Sequence, residues 1–141
     1  MTTICFKEGQ AAADSQLTSP SSGIVYHVDK LFKGTDGVVY GGYGDWPAAH
    51  AYIMWLLGGS NGDAPPLEDA GVVKAGRDGI IYVLEDSNVF FPLKNRFSAF
   101  GSGAQEAMMA MRYGASAEEA VRAVIDQNSF SGLPVLTLTY G

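Results

Sequence analysis

The sequence predicts an α+β protein in which two antiparallel sheets pack face to face and helices cover the outside. Three observations lead there. Apolar segments fall in the order strands, helix, strands, two helices, strand, which is not the βαβ alternation of a doubly wound parallel sheet. Asp-Gly and other glycine-containing turns separate short strand-like runs, as antiparallel hairpins require. The 141 residues, 47% hydrophobic and 17% charged, suit one domain over 1–141 that builds its own core.

The first strand is predicted over Thr2 to Phe6, followed by a turn at Lys7-Glu8-Gly9. Gln10 to Ala13 forms a second strand, whose three alanines suggest close packing between layers. Ser15 to Gly23, with its Ser-Pro-Ser-Ser-Gly run, reads as a loop, and Ile24 to Phe32 as extended chain. Thr35-Asp36-Gly37 is a turn, and Val38 to Tyr40 is a strand running into Gly41-Gly42-Tyr43-Gly44. Asp45 is a good N-cap, and Pro47 fits a first helical turn, where its missing N–H costs nothing. Trp46, Ala49, Ile53, Leu56 and Leu57 keep helical spacing until Gly58-Gly59. Ser60 to Pro66 is loop. Gly71 to Ala75 and Gly79 to Leu84 read as strands around Arg77-Asp78-Gly79, and Asn88 to Leu93 and Phe97 to Phe100 as two more. Gly101-Ser102-Gly103 opens a helix over Ala104 to Tyr113. Ser116 and Glu119 form a capping box for a third helix, which runs to about Asp126 and buries Ala117, Ala120, Val121, Val124 and Ile125. Asn128 to Pro134 is loop and Val135 to Tyr140 a final strand.

Composition removes several function classes. A net charge of -6 gives no electrostatic footprint for phosphate backbones, so no nucleic acid partner is expected. No apolar run reaches the roughly 18 residues of a membrane span. The opening Met1-Thr2-Thr3-Ile4 lacks the charged-then-apolar pattern of a signal peptide, and a cytoplasmic location is expected. The single cysteine, Cys5, lies among apolar residues and reads as a core thiol. His27 and His50 have no ligand partner at a recognisable spacing, and no metal or organic cofactor is expected.

Several landmarks then occur in a telling order. Thr2-Thr3-Ile4 follows the initiator methionine. Ala13-Asp14-Ser15-Gln16 ends the second strand, Lys30-Leu31-Phe32 follows, and Gly42 lies twelve positions beyond Lys30. Gly101-Ser102-Gly103 opens a helix of small and apolar residues, Gly114 to Ala120 opens the next, and Ser131-Gly132 precedes the last strand. In this order and spacing, over nearly the whole chain, the sequence resembles the proteasome β-subunits and the simpler bacterial proteasome-like ring proteases. Its compact length is similar to that of members encoded by phages and prophages. No single landmark is specific.

The resemblance implies the four-layer αββα sandwich of N-terminal nucleophile hydrolases and a threonine peptidase. Thr2, exposed by removal of Met1, would be the nucleophile. Its own α-amine, with a reference pKa of about 7.7–8.0, would be the base that a neutral hydroxyl needs. Lys30 would stabilise alkoxide character and Asp14 would pair with Lys30. Gly42 would give its N–H to the oxyanion, Ser102 would partner the amine, and Ser131 would help hold the N-terminus. Taken without the family, Thr2 is a strand start, Lys30 an exposed strand lysine, Asp14 a turn former, and Gly42 and Ser102 parts of strand-to-helix turns.

Two departures stand out. Asn128 occupies the position where the family has an aspartate three residues before Ser-Gly, which implies a weaker hold on the Thr2 amine. Pro65-Pro66 leaves little room for a second helix between Gly58 and Gly71, so that outer layer is expected to carry one main helix. The implied partners are a peptide or unfolded protein substrate, further copies of the chain in a homo-oligomeric ring, and an ATP-dependent unfoldase. The alternatives are a catalytically silent ring or assembly protein of the same fold and an N-terminal nucleophile amidase acting on a small amide.

Overall fold

The computed structural model describes residues 2–127 and 131–141. Strand β1 (Thr3–Lys7) pairs antiparallel with β2 (Gln10–Ala13) on one side and with β10 (Phe97–Gly101) on the other. Strand β11 (Leu136–Thr139) adds to β2, giving the order β10-β1-β2-β11. The second sheet runs β5 (Leu31–Lys33), β6 (Val39–Gly44), β7 (Ala70–Ala75), β8 (Ile81–Glu85), β9 (Phe91–Pro92), all neighbours antiparallel. A small hairpin, β3 (Gln16–Thr18) with β4 (Val25–His27), stands between them in the chain.

Strand alternation explains why β1 and β2 have no solvent-facing side. Ile4 and Phe6 point into the space between the sheets with Ala11 and Ala13, Leu31, Val73 and Ile81. Cys5 and Ala12 point the other way, beneath helices α2 (Ala104–Arg112) and α3 (Ala117–Gln127). The alanines are small because layers press on both sides of β2. Each large side chain fully buried here, such as Phe6, contributes about 1.5–3 kcal/mol.

Helix α1 (Trp46–Leu57) covers the far face of the second sheet, burying Ala49, Tyr52 and Ile53 with Val72 and Leu84. Its cap is the expected one, with the Asp45 carboxylate accepting from Ala48 N–H at 3.2 Å. No helix follows between Gly58 and Asp69, so this layer holds the single helix that Pro65-Pro66 implied. Opposite, α3 starts with the predicted capping box: Ser116 N–H donates to Glu119 Oε1 at 2.8 Å, and Glu119 N–H to Ser116 Oγ at 3.1 Å. The layers are therefore α, β, β, α.

Two local expectations change. Part of the polar Ser15–Gly23 stretch is strand β3, because Ser19 N–H bonds Ile24 O and closes a hairpin in a segment that needs no buried face. The Asn88–Leu93 run supplies only the two residues of β9: pairing with β8 covers Phe91 and Pro92, and Leu93 N–H adds a bond to Ile81 O at 2.8 Å.

Lys7 ties the first sheet to its helices. Its Nζ donates to Met111 O at 3.0 Å and Ala115 O at 2.8 Å, satisfying carbonyls at the end of α2. Lys7→Met is expected to cost about 1–2 kcal/mol, seen as a lower urea midpoint at unchanged slope. Cys5 is fully buried, and burial pushes its thiol up to about 12. Native protein is expected to resist a disulfide reagent that labels the urea-unfolded chain at once. The sign of the linkage is also fixed: the raised thiol favours the fold up to the ordinary value of 9.0, and stability falls as pH climbs from there toward about 12.

Candidate active site

Thr2 lies just ahead of β1 and is nearly buried, at 7% exposure. Its position is set by glycines. Gly101 faces the Thr2 carbonyl with φ +94°, and a Cβ there would overlap Thr2 O. Gly103 donates its N–H to Thr2 O at 3.4 Å, and a Cβ there would overlap Thr3 Oγ1. The Gly-Ser-Gly segment thus does more than open α2. It lets the chain's first residues lie against the start of a helix.

Asp14 is the hub. It is fully buried and accepts four hydrogen bonds: Thr3 N–H at 3.0 Å and Lys30 Nζ at 2.9 Å on Oδ1, and Gln16 N–H at 3.1 Å and Gly132 N–H at 3.2 Å on Oδ2. Lys30, 1% exposed, also donates to Gln16 O at 2.7 Å. A buried ammonium is tolerable only with such partners. Burial holds the Lys30 amine below the usual lysine value, and the Asp14 charge and hydrogen bond oppose that fall. One carboxylate oxygen therefore links Lys30 to the residue directly after Thr2. Ser131, also buried, shares a 2.8 Å hydrogen bond with the Thr3 hydroxyl and so fastens the same strand.

Thr2 opens onto a cleft of about 500 Å³ whose walls include Tyr43, Gly44, Glu85, Phe100 and Ser102. Ser102 is exposed at the rim. The register across β6, β7 and β8 sets Tyr43 opposite Gly71 and Gly71 opposite Glu85. With no side chain at Gly71, the Tyr43 ring crosses that strand and its phenol donates to Glu85 Oε1. Burial, then the neighbouring carboxylate, push the Tyr43 phenol up, so it stays a proton donor. Its other ring contact is a stack on Phe100, with centroids 5.4 Å apart and planes at 27°.

Asp14 with its partner Lys30, and Ser131, gather at Thr3, the residue after Thr2, and Ser102 lies on the cleft that Thr2 lines. Gly42 is different. Its N–H is bonded to Lys30 O at 3.2 Å, and a Cβ there would stand 2.9 Å from Ala49 and 3.1 Å from Ile53. Gly42 is a seat for α1, and its amide is already used. Gly44 is a second candidate, which the sequence reading did not single out. Asp45 N–H bonds Asp69 O, so alternation turns the N–H groups of residues 42 and 44 away from β7. At Gly44 that side lies beyond the start of β5, where Val28 N–H has turned to Ser15 O. Gly44, with φ +82°, lines the cleft. The available signal was the run Gly41-Gly42-Tyr43-Gly44, in which the last glycine, next to the Asp45 cap, is the one at the strand's open end. Asn128 lies outside the described residues.

Two facing antiparallel sheets, flanked by one helix on one side and two on the other, form the proteasome type of the N-terminal nucleophile hydrolase fold. Solved structures with this architecture match the chain from end to end. Eukaryotic HslV from Trypanosoma brucei superposes with a TM-score of 0.68 at 21% identity, covering 99% of this chain and 100% of that one. Thiobacillus denitrificans BPH in complex with epoxomicin gives 0.65 at 21% identity, covering 97% and 96%. BPH in a second structure gives 0.64 at 20% identity, covering 97% and 95%. No family model matches the chain, and no curated protein does. The likeness is one of fold.

Proposed function

We propose that this chain is a threonine-type peptidase whose nucleophile is Thr2 after loss of Met1. The observation that carries the reading is the double use of Asp14 Oδ1, which bonds both Thr3 N–H and Lys30 Nζ while Thr2 faces the cleft. In this reading the Thr2 α-amine takes the proton of its own hydroxyl, and Oγ1 bonds to a peptide carbonyl carbon. The oxyanion accepts from the Gly44 N–H, the donor role the sequence had assigned to Gly42. Lys30 supplies positive charge nearby, and Asp14 holds Lys30 in place. The C–N bond breaks as the amine returns its proton to the leaving nitrogen, leaving an ester on Thr2. Water, deprotonated by the same amine, then releases the acid and restores the hydroxyl. Ser102 assists the amine from the rim, and Ser131 steadies β1.

An open cleft suits a peptide better than a small amide enclosed on all sides, which favours this reading over an amidase. Among the described residues no helix is long and apolar enough to cross a membrane. A cytoplasmic homo-oligomeric ring fed by an unfoldase remains part of the proposal, with mass in solution as its check. The chemistry is tested by incubating the purified protein with epoxomicin, the compound held by BPH in one of the similar structures. Intact mass should show Met1 lost and one adduct, mapped by peptide analysis to Thr2. A protein that has lost Met1 and takes no adduct would favour the silent assembly reading.

A further inference from the structure

Glu85 is the only charged side chain on the walls of the Thr2 cleft among the described residues. It is exposed, at the end of β8, and its Oε1 is held by the Tyr43 phenol. That anchor fixes the carboxylate's direction and leaves Oε2 for a ligand. The flank beside it is apolar: Phe100 and the Tyr43 ring stacked on it line the same cleft as Thr2 and Glu85. A cleft with an aromatic flank and a fixed carboxylate on its wall matches one kind of side chain, an aliphatic stem carrying a cation. Neutral apolar side chains would fill the cleft and leave the carboxylate without a partner. Acidic ones would meet a like charge.

We infer that Glu85 makes the cleft selective for peptides whose lysine or arginine side chain enters beside Thr2. This rests on the peptidase reading, and it adds the substrate class. The test uses three fluorogenic peptides that differ only in the residue before the scissile bond: arginine, leucine or glutamate. Wild-type protein should favour arginine over leucine by about tenfold in kcat/KM, which corresponds to about 1.4 kcal/mol. Glutamate should be the poorest. Glu85→Gln should bring the arginine-to-leucine ratio close to one, and Glu85→Lys should shift preference toward glutamate. Leucine or glutamate favoured by wild type, or a ratio unmoved in Glu85→Gln, would overturn the inference. If no peptide is turned over, butylguanidinium titrated by NMR separates the two claims. Saturable shifts at the Gly44 and Glu85 amides that vanish in Glu85→Gln would uphold the cation site while the peptidase reading fails. Absence of such shifts would sink the site as well.

Discussion

Thr2→Ala is expected to lower peptide turnover at least a thousandfold while leaving the fold intact. Both halves follow from the structure. The substitution removes the only atom in the proposed scheme that bonds to the substrate, and no neighbouring hydroxyl is attached to the amine that would activate it. Residues that act as one unit lose nearly everything when a single member goes, commonly by factors of 10³ or more. For the fold, the change is small. The contacts that seat this residue use its backbone: Gly103 donates to Thr2 O, and β1 begins only at Thr3. The melting temperature should move by no more than about 2–4 °C, the equivalent of about 1 kcal/mol in a domain this size. Turnover and thermal melting on the same preparation check the pair of outcomes. Thr2→Ser, which keeps the hydroxyl, should retain measurable turnover.

Asp14→Ala is expected to do the opposite, unfolding the protein before its chemistry can be measured. It deprives a buried ammonium of its counter-charge and leaves the N–H groups of Thr3, Gln16 and Gly132 without their acceptor. Breaking a buried ion pair by removing one partner costs about 3–5 kcal/mol, a large share of the 5–15 kcal/mol that a domain commands. The chemical denaturation midpoint should fall sharply, or the protein should appear only in the insoluble fraction. Asp14→Asn keeps an acceptor of the same shape and should recover part of that loss. Lys30→Met in the Asp14→Asn background should recover more, because no charge is then left buried.

Local physics made much of this architecture legible. Asp45 with Pro47, Ser116 with Glu119, and Arg77-Asp78-Gly79 are short-range signals, and each sits at the predicted helix start or hairpin turn. The alanines of β2 were readable as a two-sided strand because small residues are what two pressing layers select. Elements decided by pairing rather than propensity were harder. β3 is polar and exists because its partner β4 is present, while most of the run around β9 lacks one. The site divides in the same way. Asp14 and Lys30 meet across 16 residues of chain, and nothing local announces that; only the family resemblance pointed to it. Gly42 and Gly44 turn their amides to the same edge of β6 and differ in what lies there, Lys30 O against the first and a point beyond the start of β5 against the second, which is a matter of register. Tyr43 and Glu85, 42 residues apart, meet only because Gly71 between them is bare.

The four bonds on Asp14 make the carboxylate and its lysine structural girders, besides the chemical parts proposed for them. A descendant that abandoned catalysis could not discard them cheaply, since its own folding would suffer first. Idle cousins of this protein should therefore carry the pair unchanged and betray themselves at the second residue, where substitution is nearly free.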